Sequence, residues 1–450
     1  MKHLLLFIPV FFILKAPAQT TIKQDAAIRQ MVDEVSSKNI EANIRKLVSF
    51  KSRHTLSDTT SKTEGSGAAR NWIKAEMEKY ASQSGGRMTV QFDTFTQPKG
   101  SRIDKPMHLK NVLAILKGTD PNDTRVYIVS GHYDSRVNDV MNANAVEPGA
   151  NDDASGTAVS MELARVMAKC SFPSTIIFMS VVGEEQGLYG STNVAKRAKA
   201  EKWNVDAMLN NDIVGNTHGM ETDLKDNRSV RVFSEGVPST AAGNERQIAG
   251  LIALGGENDS PSRELARYVK ETAERYVDQL DVKLIYRRDR YLRGGDHVPF
   301  LLQGFAAVRF TEMNEDFNRQ HQDIRTEKGV EYGDLPDFVD FNYVQKVARM
   351  NLSVLANLAM APAEPENVGV VTSDLTNKTV LKWESPKAGK KPKGYYVLMR
   401  ETTSPYWEKK FYVEGNGLSL NYSKDNYFFA VQSVDADGHE SLPVYPKPVR

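Results

Sequence analysis

The stretch "STIIFMSVVGEEQGLYGS", residues 174–191, joins an apolar run to two adjacent glutamates, Glu184 and Glu185. The apolar run does not alternate with polar residues, which is typical of a central strand covered by helices on both faces. Adjacent carboxylates at the end of a buried strand repel each other unless a cation lies beside them. The stretch therefore predicts a buried strand that delivers two acids to a site.

Four more apolar runs have the same character and alternate with helical segments. They are "NVLAILKG" from 111, "RVYIVSG" from 125, "DAMLNNDIV" from 206 and "FAAVRFTE" from 305. The segments "GTAVSMELARVMAK" and "SRELARYVKETAERYV" between them have helical periodicity. Strands that alternate with helices predict a layered α/β domain with a largely parallel sheet.

Composition excludes several classes of partner and site. The 450 residues favour two or three domains. The chain has 58 Lys and Arg against 57 Asp and Glu, so no nucleic-acid or anionic-membrane partner is indicated. Cys170 is the single cysteine, which excludes an intrachain disulfide and a Cys-rich zinc site.

The first 18 residues predict an export signal. A basic start is followed by an apolar run over residues 4–14 and by Ala16-Pro17-Ala18, which fits a cleavage site. The run is shorter than the roughly 20 residues of a membrane span, so we expect no stable membrane insertion. The prediction is a periplasmic or secreted protein whose mature chain starts near residue 19.

The composition and the hydrophobic pattern change in the C-terminal part. After the Pro-containing segment "APAEPENV", short β-rich runs are separated by Gly, Asn, Asp and Pro turns. This pattern predicts a small all-β sandwich over residues 363–450, which leaves residues 19–362 for the α/β domain. The sandwich resembles a fibronectin type III module, and such modules bind a protein or surface ligand rather than catalyse.

Histidines and acids follow the predicted strands. They are His132 and Asp134 in "GHYDS", Asp152 and Asp153 in "GANDDASG", Glu184 and Glu185 in "GEE", Asp212 in "NND", and Asp296 and His297 in "GGDHVPF". Singly, each has an ordinary explanation, such as a helix N-cap for Asp153. Together, at strand ends that meet at one edge of a sheet, they predict one site. Imidazoles and carboxylates without thiolates suit zinc and, less specifically, manganese or cobalt.

Over residues 25–360 these motifs resemble the M28 family of zinc-dependent exopeptidases. The resemblance implies a three-layer α/β/α domain with a mixed, largely parallel sheet, a peptide substrate and two Zn²⁺ ions per chain. It implies these ligands: Asp152 bridging both ions, Glu185 and His297 completing one site, and His132 and Asp212 completing the other. It also implies a cis peptide bond between Asp152 and Asp153.

The same resemblance assigns the two glutamates separate roles, with Glu185 on metal and Glu184 as general base. Two metals can hold a hydroxide between them and polarise a carbonyl, while Glu184 moves the proton to the leaving amine. Asp134 would orient His132, a partner that metal-bound histidines usually have. Family members often carry a further His after the last core strand, and His321 stands there in a local sequence that departs from their pattern.

Several activities fit these residues. The first is a dizinc aminopeptidase, and a carboxypeptidase of the same family is not separated from it by the sequence. A glutaminyl cyclase, an acyltransferase built on the same fold, would use one zinc. A non-catalytic binding protein is disfavoured because the base and all five predicted ligands are present. His132 and Asp212 together favour two metals.

Overall fold

The computed structural model describes residue 22, residues 24–291 and residues 293–450. The predicted export signal, residues 1–18, lies outside the described residues. The described part contains these α-helices: α1 Ala26–Glu34, α2 Ser37–Val48, α3 Gly65–Ala81, α4 Ala154–Met167, α5 Glu184–Gly187, α6 Tyr189–Ala200, α7 Glu245–Ala253, α8 Pro261–Tyr276, α9 His297–Leu302 and α10 Phe341–Met360.

Strands form one large sheet, a small hairpin and two C-terminal sheets. The large sheet contains β1 Met88–Gln97, β2 Met107–Leu116, β3 Arg125–His132, β4 Thr175–Val181, β5 Asn204–Asn211, β6 Ser229–Phe233, β7 Asp281–Ile285 and β8 Ala307–Glu312. The others are β9 Arg325–Glu327, β10 Val330–Tyr332, β11 Glu366–Val371, β12 Thr379–Glu384, β13 Gly394–Glu401, β14 Lys409–Val413, β15 Gly417–Leu420, β16 Tyr427–Val434 and β17 Lys447–Val449.

The large sheet has the order β1-β2-β4-β3-β5-β8-β6-β7. Strands β4, β3, β5 and β8 run parallel and form its centre. Strands β1 and β2 extend one side in antiparallel pairing, and β6 joins the other side antiparallel to β8. The predicted mixed, largely parallel sheet is confirmed, and its four parallel central strands end on the same edge.

Helices cover both faces of the sheet, which confirms the three layers. One face packs against α1–α4, α8 and α10 through buried side chains such as Leu163 and Leu355. The other face packs against α6 and α9 through Val194 and Phe300. Burial of apolar area on both faces stabilises the domain and explains why the central strands lack polar alternation.

The C-terminal residues form two further sheets, with the orders β15-β12-β11-β17 and β14-β13-β16. The two sheets share one hydrophobic cluster that includes Trp383, Val397 and Phe429. They therefore form an all-β sandwich. Helix α10 ends at Met360 and β11 begins at Glu366, so the predicted boundary at residues 362 and 363 lies in the connection between them.

Buried charges join the sandwich to α8 and the segment before it. Glu440 accepts hydrogen bonds from Arg275 at 2.8 and 3.1 Å and from the Asn357 amide at 2.8 Å. The Arg400 guanidinium lies 2.7 Å from Asp259, and both side chains are buried. The interface therefore contains ion pairs shielded from water.

The part of the chain that the structure describes contains no helix long and apolar enough to cross a membrane.

Candidate active site

Three side chains form a first group of possible metal ligands: His132 at the end of β3, Asp152 before α4, and Asp212 directly after β5. His132 Nε2 lies 3.2 Å from Asp152 Oδ1 and 3.9 Å from Asp212 Oδ1. All three side chains are buried, and their donor atoms lie within 4.8 Å of one another. The His132 Nδ1 atom faces Asp134, at 3.1 Å from its carbonyl oxygen and 3.6 Å from its Oδ1. Asp134 thus orients the ring with Nε2 towards the group.

A second group shares Asp152 with the first. His321 Nε2 lies 2.9 Å from Asp152 Oδ2 and 2.9 Å from Glu185 Oε1. Because Asp152 presents Oδ1 to one group and Oδ2 to the other, its carboxylate lies between them. The peptide bond between Asp152 and Asp153 is cis, as the resemblance implies. The Asp153 side chain begins α4 by accepting a hydrogen bond from the Gly156 amide.

His297, which the resemblance places on metal, lies in neither of these two donor groups. Its Nε2 lies 2.9 Å from the carbonyl oxygen of Arg288 and 3.5 Å from Asp289 Oδ2. Since a carbonyl oxygen only accepts, Nε2 carries the proton and donates it there. His297 starts α9 and is fully buried, so its ring anchors the loop before it. His321, in the connection between β8 and β9, lies beside Asp152 and Glu185, where the resemblance would place His297.

Glu184 lies beside the first group without belonging to either. Its Oε2 is 4.0 Å from His132 Nε2, and 14% of its side chain is exposed. Burial raises the pKa of Glu184 well above its ordinary value, with Asp212 and Glu185 adding to the rise against the opposing charge of His132. A carboxyl group with a raised pKa at the mouth of a buried acidic site is suited to proton transfer.

Three further charged residues contact the two donor groups, and no sequence motif pointed to them. Arg309, on β8, lies 2.9 Å from Asp212. Burial raises the pKa of Asp212, but Arg309 and His132 lower it more, and the net pKa is below the ordinary value. Asp334 accepts hydrogen bonds from the backbone amides of Asn151 and Asp152. Arg136 lies 2.8 Å from Glu185 Oε2 through its Nε.

The donors fit a metal ion. His132 Nε2 is buried and has no hydrogen-bond partner among the described residues. Burial lowers the pKa of His132, yet the carboxylates of Asp134, Asp152 and Asp212 hold it well above its ordinary value. An imidazole nitrogen without a partner among converging carboxylates is the arrangement that Zn²⁺ takes in proteins.

Comparison with known proteins agrees with this chemistry. Residues 111–332 match the model of peptidase family M28. A "Probable zinc metalloprotease" of Pyrenophora teres f. teres is 50% identical over 94% of this chain and 87% of its own length. A second, from Leptosphaeria maculans, is 49% identical over 94% of this chain and 97% of its own length.

Solved structures share the fold. The LapA aminopeptidase of Legionella pneumophila has a TM-score of 0.53 at 19% identity and covers 80% of each chain. The aminopeptidase of Aneurinibacillus sp. strain AM-1 has a TM-score of 0.50 at 16% identity and covers 73% of this chain and 95% of its own.

The imidazole–carboxylate site at the ends of the parallel strands, together with these relatives, defines a zinc-dependent metallopeptidase. The chain belongs to peptidase family M28.

Proposed function

We propose that the protein is an exported aminopeptidase that holds two zinc ions and releases residues from the amino ends of peptides. The observation that carries this proposal is the shared Asp152 carboxylate, which lies 3.2 Å from His132 Nε2 on one side and 2.9 Å from His321 Nε2 on the other. In the proposed ligand set His132 and Asp212 would hold one ion, Glu185 and His321 would hold the other, and Asp152 would be shared between them. Export is proposed from residues 1–18 alone.

Bound zinc would supply a Lewis acid that polarises the scissile carbonyl and lowers the pKa of water. Glu184 would accept a proton from the water whose oxygen attacks the carbonyl carbon, and would pass that proton to the amine nitrogen as the C–N bond breaks. Asp134 holds the His132 ring, and Arg309 offsets the charge of Asp212. Strand ends and short helices fix these side chains, so little reorganisation accompanies the proton transfer.

Action at the amino end is proposed because two of the solved structures that share the fold are aminopeptidases. The cavity in front of the site has a volume of about 620 Å³, within the range of small-ligand pockets. Its lining includes Asp152, Glu185 and Asp212, which belong to the proposed ligand set and place the reacting groups at its floor.

A panel of blocked dipeptides tests the proposal. The zinc-loaded protein is expected to hydrolyse Leu-Gly and Leu-Gly-amide and to leave acetyl-Leu-Gly intact, because only the first two present a free α-amino group. Product release is measured by chromatography. Hydrolysis of acetyl-Leu-Gly alongside Leu-Gly would instead indicate a carboxypeptidase, and conversion of an N-terminal glutamine to a ring without hydrolysis would indicate a glutaminyl cyclase.

Metal content tests the ligand set. After identical dialysis, we expect two zinc ions per chain in the parent protein, close to one in His321→Ala and close to none in Asp152→Ala. Removal of the shared carboxylate leaves two cations without an anion between them, which raises their repulsion. His297→Ala is the matched control and is expected to keep both ions. A His297→Ala protein with one ion and a His321→Ala protein with two would instead support His297 as the ligand beside Glu185.

A further inference from the structure

Arginines surround the mouth of the cavity. Arg102 and Arg136 line it on the side of Glu185, and Arg290 and Arg293 line it from the arginine loop, which we define as residues 286–291 with 293–296. The loop reads "YRRDRYLRGGD" and contains four arginines against two aspartates. The entrance is therefore rich in fixed positive charge.

The arginine loop is held in place rather than free. His297 donates a hydrogen bond to the Arg288 carbonyl oxygen at 2.9 Å. Within the loop, Asp289 lies 3.2 Å from Arg309, which in turn lies 2.9 Å from the proposed ligand Asp212. This chain of contacts ties the loop to the floor of the site, so the positions of its arginines are set relative to the reacting groups.

The four arginines that line the cavity differ in how many of their N–H groups already have a carboxylate partner. Arg136 and Arg290 are mostly buried and lie against Glu185 and Glu315, respectively. Arg102 is exposed and donates one hydrogen bond, to the Glu185 carbonyl oxygen at 2.9 Å. Among the described residues no carboxylate lies within 4.0 Å of its guanidinium.

Arg293 shares its carboxylate with other cations. It lies 3.0 Å from Glu315, which also lies 2.9 Å from Arg290 and 2.9 Å from Arg231. One carboxylate therefore faces three guanidinium groups, and 34% of the Arg293 side chain is exposed. The Arg293 charge is only partly compensated.

The formal charges of the residues that line the cavity also favour an anionic group on the substrate. The four arginines balance the carboxylates of Asp152, Glu184, Glu185 and Asp212 that line the same space. In the proposed metal-loaded state, two dications are added to this balance and leave a surplus of positive charge. An anionic group on the substrate would reduce that surplus.

We propose that Arg102 and Arg293 bind a carboxylate on the residue that follows the scissile bond, so that the preferred substrates are short peptides with an anionic leaving residue. The inference rests on the proposed function, because it requires a peptide whose scissile bond lies at the donor groups and whose next residue reaches the rim. The carboxylate is the free C-terminus of a dipeptide or the side chain of Asp or Glu. Guanidinium groups recognise either through charge-assisted hydrogen bonds.

Two matched peptide pairs test the preference on the zinc-loaded protein. Leu-Gly against Leu-Gly-amide isolates the terminal carboxylate, and Leu-Asp-amide against Leu-Asn-amide isolates the side-chain carboxylate. We expect kcat/KM to favour the anionic member of at least one pair by about ten- to hundredfold, the range of a hydrogen bond between charged groups. Arg102→Gln and Arg293→Gln are each expected to reduce that ratio.

Arg287→Gln is the matched control, since Arg287 is an exposed arginine of the same loop that does not line the cavity. It is expected to leave the ratio unchanged. Equal kcat/KM within both pairs would overturn the proposal. So would Arg102→Gln and Arg293→Gln variants that slow both members of a pair equally, because they would then act on catalysis rather than on the carboxylate.

Calorimetry separates this inference from the proposed function. Leu-Gly and Leu-Gly-amide with the peptide bond reduced to a methylene-amine cannot be hydrolysed, and their affinities need no turnover. Tighter binding of the Leu-Gly analogue than of the Leu-Gly-amide analogue, with the difference lost in Arg293→Gln, supports the carboxylate site. If the protein shows this difference but cleaves no peptide, the proposed function alone fails. Equal affinities overturn the carboxylate site even if peptides are cleaved.

Discussion

Glu184→Gln is expected to keep its zinc and to lose turnover by about 100- to 10,000-fold, mainly in kcat. Glutamine keeps the shape of the side chain but cannot accept a proton. Glu184 lies 4.0 Å from His132 Nε2 and outside both donor groups, so its substitution leaves the ligands in place. Steady-state kinetics on Leu-Gly and metal analysis of the same sample measure the two effects together.

Glu185→Gln is the comparison that makes this result specific. Glu185 lies 2.9 Å from His321 Nε2 and belongs to the second donor group. Its substitution is expected to lower zinc affinity first, and added zinc is expected to restore part of the activity. If Glu184→Gln loses zinc and Glu185→Gln keeps it, the two roles are reversed. A Glu184→Gln enzyme with the parent rate rules out the general base.

Glu440→Ala is expected to lower the free energy of unfolding by about 3–5 kcal/mol, although it lies in the sandwich and outside the active site. Glu440 is fully buried and pairs with Arg275 at 2.8 Å. Among the described residues, its removal leaves the Arg275 guanidinium, whose side chain is 9% exposed, with Glu271 at 3.3 Å as the remaining carboxylate partner. Urea unfolding followed by circular dichroism measures the loss.

Glu414→Ala is the control for this substitution, because Glu414 is an exposed glutamate of the same sandwich, 3.8 Å from Lys393. It is expected to change the free energy of unfolding by no more than about 0.5 kcal/mol. Equal unfolding midpoints for the two variants would show that the buried pair contributes nothing to stability.

The Glu440 contribution also depends on pH. Burial raises the pKa of Glu440, but Arg275 and Lys410 lower it more, and the net pKa lies below the ordinary value. The stabilisation is therefore complete above the ordinary Glu pKa of 4.5 and is lost as the pH falls through the lowered value.

Residues next to the parallel strands were predictable from the sequence. His132, Glu185 and Asp212 come at the ends of apolar runs, and Asp152 comes just before α4; the edge at which parallel strands end brings these segments together. The central strands were recognisable for the same reason. Strands β6 and β7, with five residues each at one side of the sheet, have too few residues for a clear pattern.

The fifth proposed ligand was not predictable in this way. His297 has the stronger local motif, but its ring turns to the Arg288 carbonyl oxygen. His321 lies in an irregular connection and has φ of 56°, a left-handed conformation that is uncommon for residues with a side chain. Only the path of that connection across the sheet edge decides which imidazole meets Asp152, and no periodicity encodes such a path.

The distance along the chain between the two halves of the second donor group sets an order of events during synthesis. His321 follows Glu185 by 136 residues. At about 5–20 residues per second, a ribosome needs on the order of ten seconds to add that stretch. Throughout this interval the growing chain contains Glu184, the proposed base, but lacks His321. The second donor group therefore cannot form until all eight strands of the large sheet have been synthesised, so we expect metal loading of that group to follow folding of the sheet rather than to precede it.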